Sequence, residues 1–191
     1  MKRKILLISA IAITLSLIAS GTLAYFTAEE TAHNTITTGT IKIQLQEWSV
    51  PPGGGDPEPF EDVINVLPGT EVSKIVEVKN TGLSSAWIRI KLDELVTFKT
   101  GETADRDEIL ISYDVNTEKW IEKDGYFYYN DTVKPGETTE PLFTKVIFSE
   151  FMGNDYQESV FEVTVHAQAT QVANNGSTVL EAAGWPEKLA E

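Results

Sequence analysis

The sequence predicts an all-β fold, and more closely an antiparallel, jelly-roll-like β-sandwich of seven to nine strands that follows an N-terminal signal helix. Short runs of alternating apolar and polar residues are the first observation behind this prediction. Turn-forming residues at intervals between those runs are the second. With 191 residues, 41% of them hydrophobic, the chain is long enough to bury one core.

Three runs show the alternation most clearly. In residues 161–169 every second residue, beginning with Phe161, is apolar, and the residues between them are polar. Residues 88–93 and 41–45 repeat the pattern with isoleucine and leucine. Each run is therefore expected to be a strand with one face on the core and one face in water. Weaker strand candidates are residues 72–79, 109–115, 126–129 and 142–148.

Turns and loops are expected between these runs. Residues 51–59, which contain four prolines and three glycines, cannot form an interior strand or a helix and predict a loop. Residues 99–107 are polar and predict a second long loop. Shorter turns, each containing Gly, are expected at residues 67–70, 80–82, 123–125 and 134–136.

The sandwich domain is expected to span residues 39–174. The tail that follows, residues 175–191, is expected to be peripheral to the core. It could form a short helix with Ser177 or Thr178 as the N-cap and Glu181 in the first turn.

The first 24 residues have the layout of a secretory signal peptide. Residues 1–4 are basic, and residues 5–19 are apolar and uncharged. As a helix the apolar run would span about 22 Å, less than the roughly 30 Å hydrocarbon core of a bilayer. The small residues Thr22 and Ala24 place cleavage after Ala24, with cleavage after Tyr25 as the alternative.

Cleavage would leave residues 25–38 as a flexible N-terminal segment of the mature chain. An uncleaved N-terminal anchor is the alternative. No second hydrophobic run follows the first, so no stable membrane anchor is expected after cleavage.

The chain is strongly acidic. It has 15 Lys and Arg against 29 Asp and Glu, a net charge of −14, and removal of the three basic residues of the signal peptide brings the charge to −17. Nucleic acid is not an expected partner, because its binding requires basic residues on the phosphates. The absence of Cys excludes disulfides, thiol nucleophiles and thiolate metal sites.

Residues suited to catalysis or metal binding are few. The two histidines are His33, in a polar segment, and His166, on the outward face of a strand. A catalytic zinc site needs about three protein ligands, and no zinc motif is present, so both are expected to be solvated. The segment Asp105–Glu108 could hold Ca²⁺, but it lacks the pattern of an EF-hand loop and is expected to be solvated loop charge. No cofactor is expected.

Aromatic residues are candidates for an exposed binding surface, formed by Trp48, Trp87, Tyr126 and Tyr128. Tyr126 and Tyr128 share one face of their strand, and the other face is expected to meet the core. The alternative is a strand that is buried on both faces.

The sequence resembles the TasA/camelysin family of exported Gram-positive proteins. The resemblance rests on Leu-Ala-Tyr-Phe-Thr at residues 23–27 and on Asn-Thr-Ile-Thr-Thr-Gly-Thr-Ile-Lys-Ile at residues 34–43. Further matches are residues 67–70, 76–82 and 86–90, and residues 163–169 take the place of the closing strand of the family. Residues 124–129 and 134–137 are similar to smaller exported relatives with the same class of signal peptide.

The resemblance implies a secreted, jelly-roll-like β-sandwich that is processed by a SipW-type signal peptidase. For some members it also implies assembly into fibres of the biofilm matrix. Camelysin-like members have been described as metallopeptidases, and the present sequence offers no zinc motif for that activity.

The leading hypothesis is a secreted, non-catalytic structural protein of the extracellular matrix or cell surface. It would assemble by strand addition, with itself or a related matrix protein as partner. The segment Phe26–Thr38 is the candidate donor strand, with Ile36 as its strong apolar anchor. Two alternatives remain open: a metal-dependent peptidase that uses His33 and His166, and a carbohydrate- or surface-binding module that uses the aromatic residues.

Overall fold

The computed structural model describes residues 27–31, 34–35, 40–61, 68–105, 107, 110–153, 156 and 159–186. These residues form a mostly β structure of several antiparallel sheets, with one short 3-10 turn at Val179–Glu181. In chain order the strands are β1 (Thr27–Thr31), β2 (Asn34–Thr35), β3 (Ile43–Ser49), β4 (Glu58–Pro59), β5 (Glu71–Ser73), β6 (Ile75–Asn80), β7 (Ala86–Thr97), β8 (Thr103–Ala104), β9 (Ile111–Tyr113), β10 (Trp120–Lys123), β11 (Tyr126–Tyr129), β12 (Lys145–Phe148) and β13 (Val160–Gln171).

Three sheets contain all of these strands. The first has the order β10-β11-β7-β13-β1-β2, with β8 also paired to β7. The second has the order β5-β12-β9, and the third β4-β3-β6. Strands β7 and β13 are both 12 residues long and pair along their whole length, from Ala86 opposite Gln171 to Thr97 opposite Val160. This long ribbon is the centre of the fold.

The main core lies where the first sheet meets the third. Strand β6, which has alternating buried residues, and β3 supply one side, and β7 and β13 supply the other. Except for Phe161, the inward-facing apolar residues predicted for the alternating runs lie in or against this core, which confirms that part of the prediction. The face of β13 that was expected to be in water is not fully wet, because Gln168 is only 3% exposed. The buried core residues from these four strands are Ile43, Val76, Val78, Ala86, Ile88, Ile90, Val165, Ala167 and Ala169.

A second apolar cluster lies at the far end of the ribbon. Val96, Ile111, Val146 and Phe148 are its buried members, and Phe161 packs against them with its ring 6.0 Å from that of Phe148. The cluster joins the second sheet to the first.

The predicted strand at residues 72–79 is divided into β5 and β6 at Lys74. The Lys74 N–H donates a hydrogen bond to the Thr144 carbonyl. Its side chain is only 4% exposed, where the ammonium group contacts the Glu47 carboxylate and lies 3.8 Å from the centre of the Phe60 ring. The chain changes partner sheet at this buried ion pair.

Two strands lie within segments that were expected to be loops. Strand β4 (Glu58–Pro59) pairs with the end of β3, and β8 (Thr103–Ala104) pairs with the end of β7. The prediction of an unbroken loop at residues 99–107 was therefore wrong. Strand β4 lies at a sheet edge, where proline is tolerated because no ladder hydrogen bond is lost.

The turn between β10 and β11 follows the sequence prediction. Asp124 and Gly125 have φ values of 52° and 75°, as a two-residue hairpin with a primed turn requires. The paired strand β11 begins at Tyr126 and ends at Tyr129, the bounds that the sequence predicted.

Both segments that flank the predicted sandwich domain contain described elements that contact the first sheet. Residues 27–31 and 34–35 form β1 and β2 within the segment expected to be flexible. At the C-terminal end, Val179 is only 2% exposed and packs on the first sheet, although a peripheral tail was expected. The signal helix and both candidate cleavage positions lie outside the described residues. In the part of the chain that is described, no helix has the length and apolar character needed to cross a membrane.

Candidate functional site

The N-terminal strand lies along an edge of the central ribbon. Strand β1 pairs with β13 in antiparallel register, from Thr27 opposite Thr170 to Thr31 opposite His166. Strand β2 then folds back on β1, with Thr31 opposite Asn34. The segment next to the predicted cleavage position therefore completes the sheet of its own chain.

Strand β1 covers only part of the β13 edge. It pairs with residues 166–170, whereas β13 begins at Val160. Residues 160–165 pair with β7 on one side, and no described strand pairs with them on the other. Such an edge presents unpaired backbone groups that can accept a further strand.

His166 lies at the end of the β1 pairing, on the outer face of the ribbon. Its Nε2 is 3.0 Å from Asp93 Oδ2, and the Lys91 ammonium group contacts the same carboxylate. The side chain of His166 is 25% exposed and that of Asp93 is 52% exposed. The outward orientation predicted for His166 is confirmed, and it contacts a carboxylate as well as solvent.

Residues 175–186 cross the outer face of the first sheet and are called the C-terminal strap below. Asn175, only 3% exposed, accepts a hydrogen bond at its carbonyl from Trp87 Nε1 at 3.0 Å. Its side chain also closes the strap on itself, because Oδ1 accepts from the Ala183 N–H at 2.7 Å and Nδ2 donates to the Ala183 carbonyl at 3.0 Å. Val179 completes the contact by packing beside Trp87 and Tyr128.

Arg89 holds the end of the strap against the sheet. Its guanidinium carbon lies 3.9 Å from the centre of the Tyr126 ring and 4.6 Å from that of Trp185. Its Nε donates a hydrogen bond to Gln168 Oε1 at 2.7 Å, which fixes the plane of the group. Trp185 also meets Tyr128 edge to face, with ring centres 5.9 Å apart. The Arg89 guanidinium group thus contacts the rings of both Tyr126 and Trp185 and holds the strap on the sheet.

The strap covers part of the aromatic surface that the sequence predicted to be exposed. Trp87 is 5% and Tyr128 is 8% exposed, so neither forms an exposed platform, and that prediction was wrong for both. Tyr126 is partly exposed, and the Arg89 guanidinium group lies over its ring. Trp48 is partly exposed on β3, where its Nε1 donates to Glu77 Oε1 at 3.0 Å. Strand β11 is therefore enclosed on both faces, as the alternative interpretation held.

Replacing Trp185 with Ala is expected to lower the free energy of unfolding by about 2 kcal/mol, because one cation–π contact and one edge-to-face contact are lost together. Replacing it with Phe keeps a ring in place and is expected to cost less than about 1 kcal/mol. Urea denaturation followed by circular dichroism measures both. Equal midpoints for Trp185→Ala and the unchanged chain would show that the strap adds nothing to stability.

Several predicted site residues lie outside the described residues. They include both residues at the candidate cleavage positions, the N-terminal histidine and three members of the donor segment: Ala24, Tyr25, Phe26, His33, Ile36 and Thr38. Their roles stay predictions.

The sequence analysis missed the roles of Arg89, Gln168 and Trp185 in holding the strap. A large aromatic residue, Trp87, on the face of β7 opposite the isoleucines was the sequence signal that something covers this face.

A family model described as camelysin metallo-endopeptidase matches residues 1–124. The chain belongs to the camelysin family. This family includes TasA-like proteins, and its members are exported. Neither the curated proteins nor the solved structures include a significant match to the chain.

The camelysin description implies a metal ion, so the described residues can be tested for a fit to one. A catalytic zinc site takes about three protein ligands with one open position. Among the described residues, no three His, Asp or Glu side chains come together in a way that could hold a metal ion. The nearest arrangement is His166 with Asp93, and there the Lys91 ammonium group already contacts the carboxylate. These residues do not fit a catalytic metal, and no catalytic step follows from them.

Proposed function

We propose that this camelysin-family chain is a secreted, non-catalytic structural protein of the extracellular matrix or cell surface. In this proposal its subunits join by exchange of the N-terminal strand. The observation that supports it is the position of β1, which comes directly after the predicted signal peptide and completes the edge of β13. A SipW-type signal peptidase would free this strand during export.

Exchange would preserve the contacts of β1. The β13 edge of a second copy offers the same backbone donors and acceptors in the same register, so each hydrogen bond lost within a chain is regained between chains. Swapping of identical elements between subunits is for that reason a low-cost route to association. A chain that gives its strand to one neighbour and receives one from another belongs to a head-to-tail series, which extends into a fibre unless its rotation closes a ring.

A longer donor would gain more than β1 gains within its own chain. Residues 160–165 of β13 have no described partner on the β1 side, because β2 turns back after Thr31. A donor that remained extended past Thr31 would pair with this part of the edge as well. We infer that the additional main-chain hydrogen bonds favour pairing between chains.

We also infer that the sheets of one chain form a jelly-roll-like β-sandwich around the core shared by the first and third sheets.

Acid is expected to promote assembly. The charge of −17 on the mature chain opposes association until carboxylates are protonated, which begins about one pH unit above their ordinary pKa of about 4. Burial raises the pKa of Asp114, but hydrogen bonds from Thr144 and from the Lys145 N–H outweigh it and bring the pKa below the usual value. A carboxyl with a lowered pKa stabilises the fold until the pH falls through that pKa. The fold should therefore persist at the mildly acidic pH where the charge repulsion between subunits first weakens.

Negative-stain electron microscopy of the mature chain at pH 7 and pH 5, with and without Ca²⁺, tests the proposal. Regular fibres are expected, and more of them at pH 5. The matched control is the same chain without residues 25–38, which is expected to fold and to remain monomeric. Full-length fibres from the shortened chain, or a persistent monomer of the mature chain under every condition, would contradict the proposal.

A further inference from the structure

Two apolar side chains are almost fully exposed to solvent. Leu83 is 83% and Phe151 is 79% exposed, far above the other exposed large apolar side chains of the described residues, of which Val160 follows at 56%. Burying such side chains against a partner releases free energy in proportion to the apolar area removed from water. Their positions therefore indicate where a partner would bind.

Leu83 projects from a rigid loop. The Gly82 N–H donates to Asn80 Oδ1 at 2.9 Å, and the Leu83 N–H donates to the Thr40 carbonyl at 2.8 Å. Gly82 packs so closely that a Cβ there would lie 2.5 Å from the Thr40 oxygen and 2.6 Å from the Lys42 nitrogen. The loop is thus fixed on the body of the protein, and Leu83 loses little conformational freedom when it meets a partner.

Phe151 stands at the other end of the ribbon. Its neighbour Met152 packs on the second apolar cluster with Val96 and Phe148, and Val160 pairs with Thr97 at the last step of β7. The Leu83 loop, by contrast, precedes Ala86 at the first step of β7. Eleven steps of about 3.3 Å separate the two ends of this strand by roughly 35 Å.

The two ends also differ in charge. Among the described residues, those near Leu83 carry a net charge of +1, with Lys42, Lys79 and Lys134 against Asp131 and Glu137. Those near Phe151 are acidic. The described residues at that end include one lysine, Lys99, and five exposed carboxylates: Glu102, Asp105, Asp107, Glu150 and Glu162. In a chain this acidic, two Phe151 ends repel each other, so the Leu83 end of a second copy is a better partner for the Phe151 end than a second Phe151 end is.

We propose that the Leu83 loop of one copy docks on the Phe151 and Val160 end of the next copy. This inference rests on the proposed function and adds a second contact between the same subunits. The two surfaces differ, so the contact is head-to-tail, and a contact of that kind extends into a filament unless its rotation closes a ring. It would also set the direction of the fibre along the central ribbon.

Disulfide trapping tests the contact cleanly, because the chain has no cysteine of its own. Mature chains with Thr81→Cys and mature chains with Gly153→Cys, exposed neighbours whose substitution keeps Leu83 and Phe151 in place, are mixed with a mass tag on one of them, allowed to assemble at pH 5 and oxidised. Dimers with one chain of each kind are expected at least tenfold above the dimers formed by either variant alone. The matched control replaces one partner by Ile121→Cys, an exposed apolar site on β10, which lies two strands away from β7 in the sheet.

The outcomes separate this inference from the proposed function. Fibres whose mixed dimers do not exceed the Ile121→Cys control would overturn the head-to-tail contact and leave strand exchange standing. Mixed dimers without fibres would support the contact and count against strand exchange. Neither fibres nor mixed dimers would contradict both.

Discussion

Chains that carry Thr31→Cys together with His166→Cys are expected to remain monomeric when they are oxidised before assembly, and to form fibres once the disulfide is reduced. Thr31 and His166 are directly opposite in the β1–β13 ladder. Opposite residues of antiparallel strands have Cα atoms about 4.5–5.5 Å apart, within the range of a disulfide. The bond would tie β1 to its own β13, so the strand could not reach a second copy.

The single variants serve as controls for this experiment. Thr31→Cys alone and His166→Cys alone should assemble under oxidising and reducing conditions alike, which separates the effect of the bond from the loss of the His166 contact with Asp93. Sedimentation and electron microscopy give the fraction assembled. Fibres from the oxidised double variant, with the bond shown by mass spectrometry to be within the chain, would contradict exchange of β1.

Replacing Asn80 with Ala is expected to lower the free energy of unfolding by about 3 kcal/mol. Asn80 is fully buried, its Nδ2 donates to the Ser84 and Val133 carbonyls at 2.8 Å each, and its Oδ1 accepts from the Gly82 N–H. The substitution removes all three of these hydrogen bonds to backbone groups. Each loss of a buried partner costs on the order of 1 kcal/mol or more.

A matched control is available for this substitution. Asn130 is exposed, and its Nδ2 donates one hydrogen bond to the Glu118 carbonyl at 2.8 Å. Asn130→Ala is expected to cost less than about 1 kcal/mol, because water replaces the lost partner. Equal unfolding midpoints for the two variants would show that Asn80 does not hold the loop that presents Leu83.

Local pattern was sufficient to predict most strands of the fold, but it missed β1, β2, β4, β8 and β10 and did not predict which strands pair. The alternation in residues 161–169 and 88–93 predicted both strands of the central ribbon and the faces they bury, because a strand with one wet face has a period of two. The Asp124-Gly125 turn was predicted because it requires positive φ values at both positions. These features are determined within a few neighbouring residues.

The strap could not be predicted in the same way. Its contacts join residues far apart in the sequence, such as Trp87 with Asn175 and Arg89 with Trp185. Gly184 and Pro186 interrupt any helical pattern there, so the segment was expected to be a peripheral tail. The pairing of β1 with β13 was missed for the same reason, since the two strands lie at opposite ends of the chain.

Exchange of β1 between copies is tested most directly by oxidising the Thr31→Cys and His166→Cys double variant after the fibres have formed. If each β1 pairs with the β13 of a neighbour, the disulfides join different chains. A ladder of dimers, trimers and longer products is then expected on a non-reducing gel, and it should collapse to monomer on reduction. Complete oxidation that yields only monomer bands would place β1 on its own chain within the fibre and would contradict the proposed function.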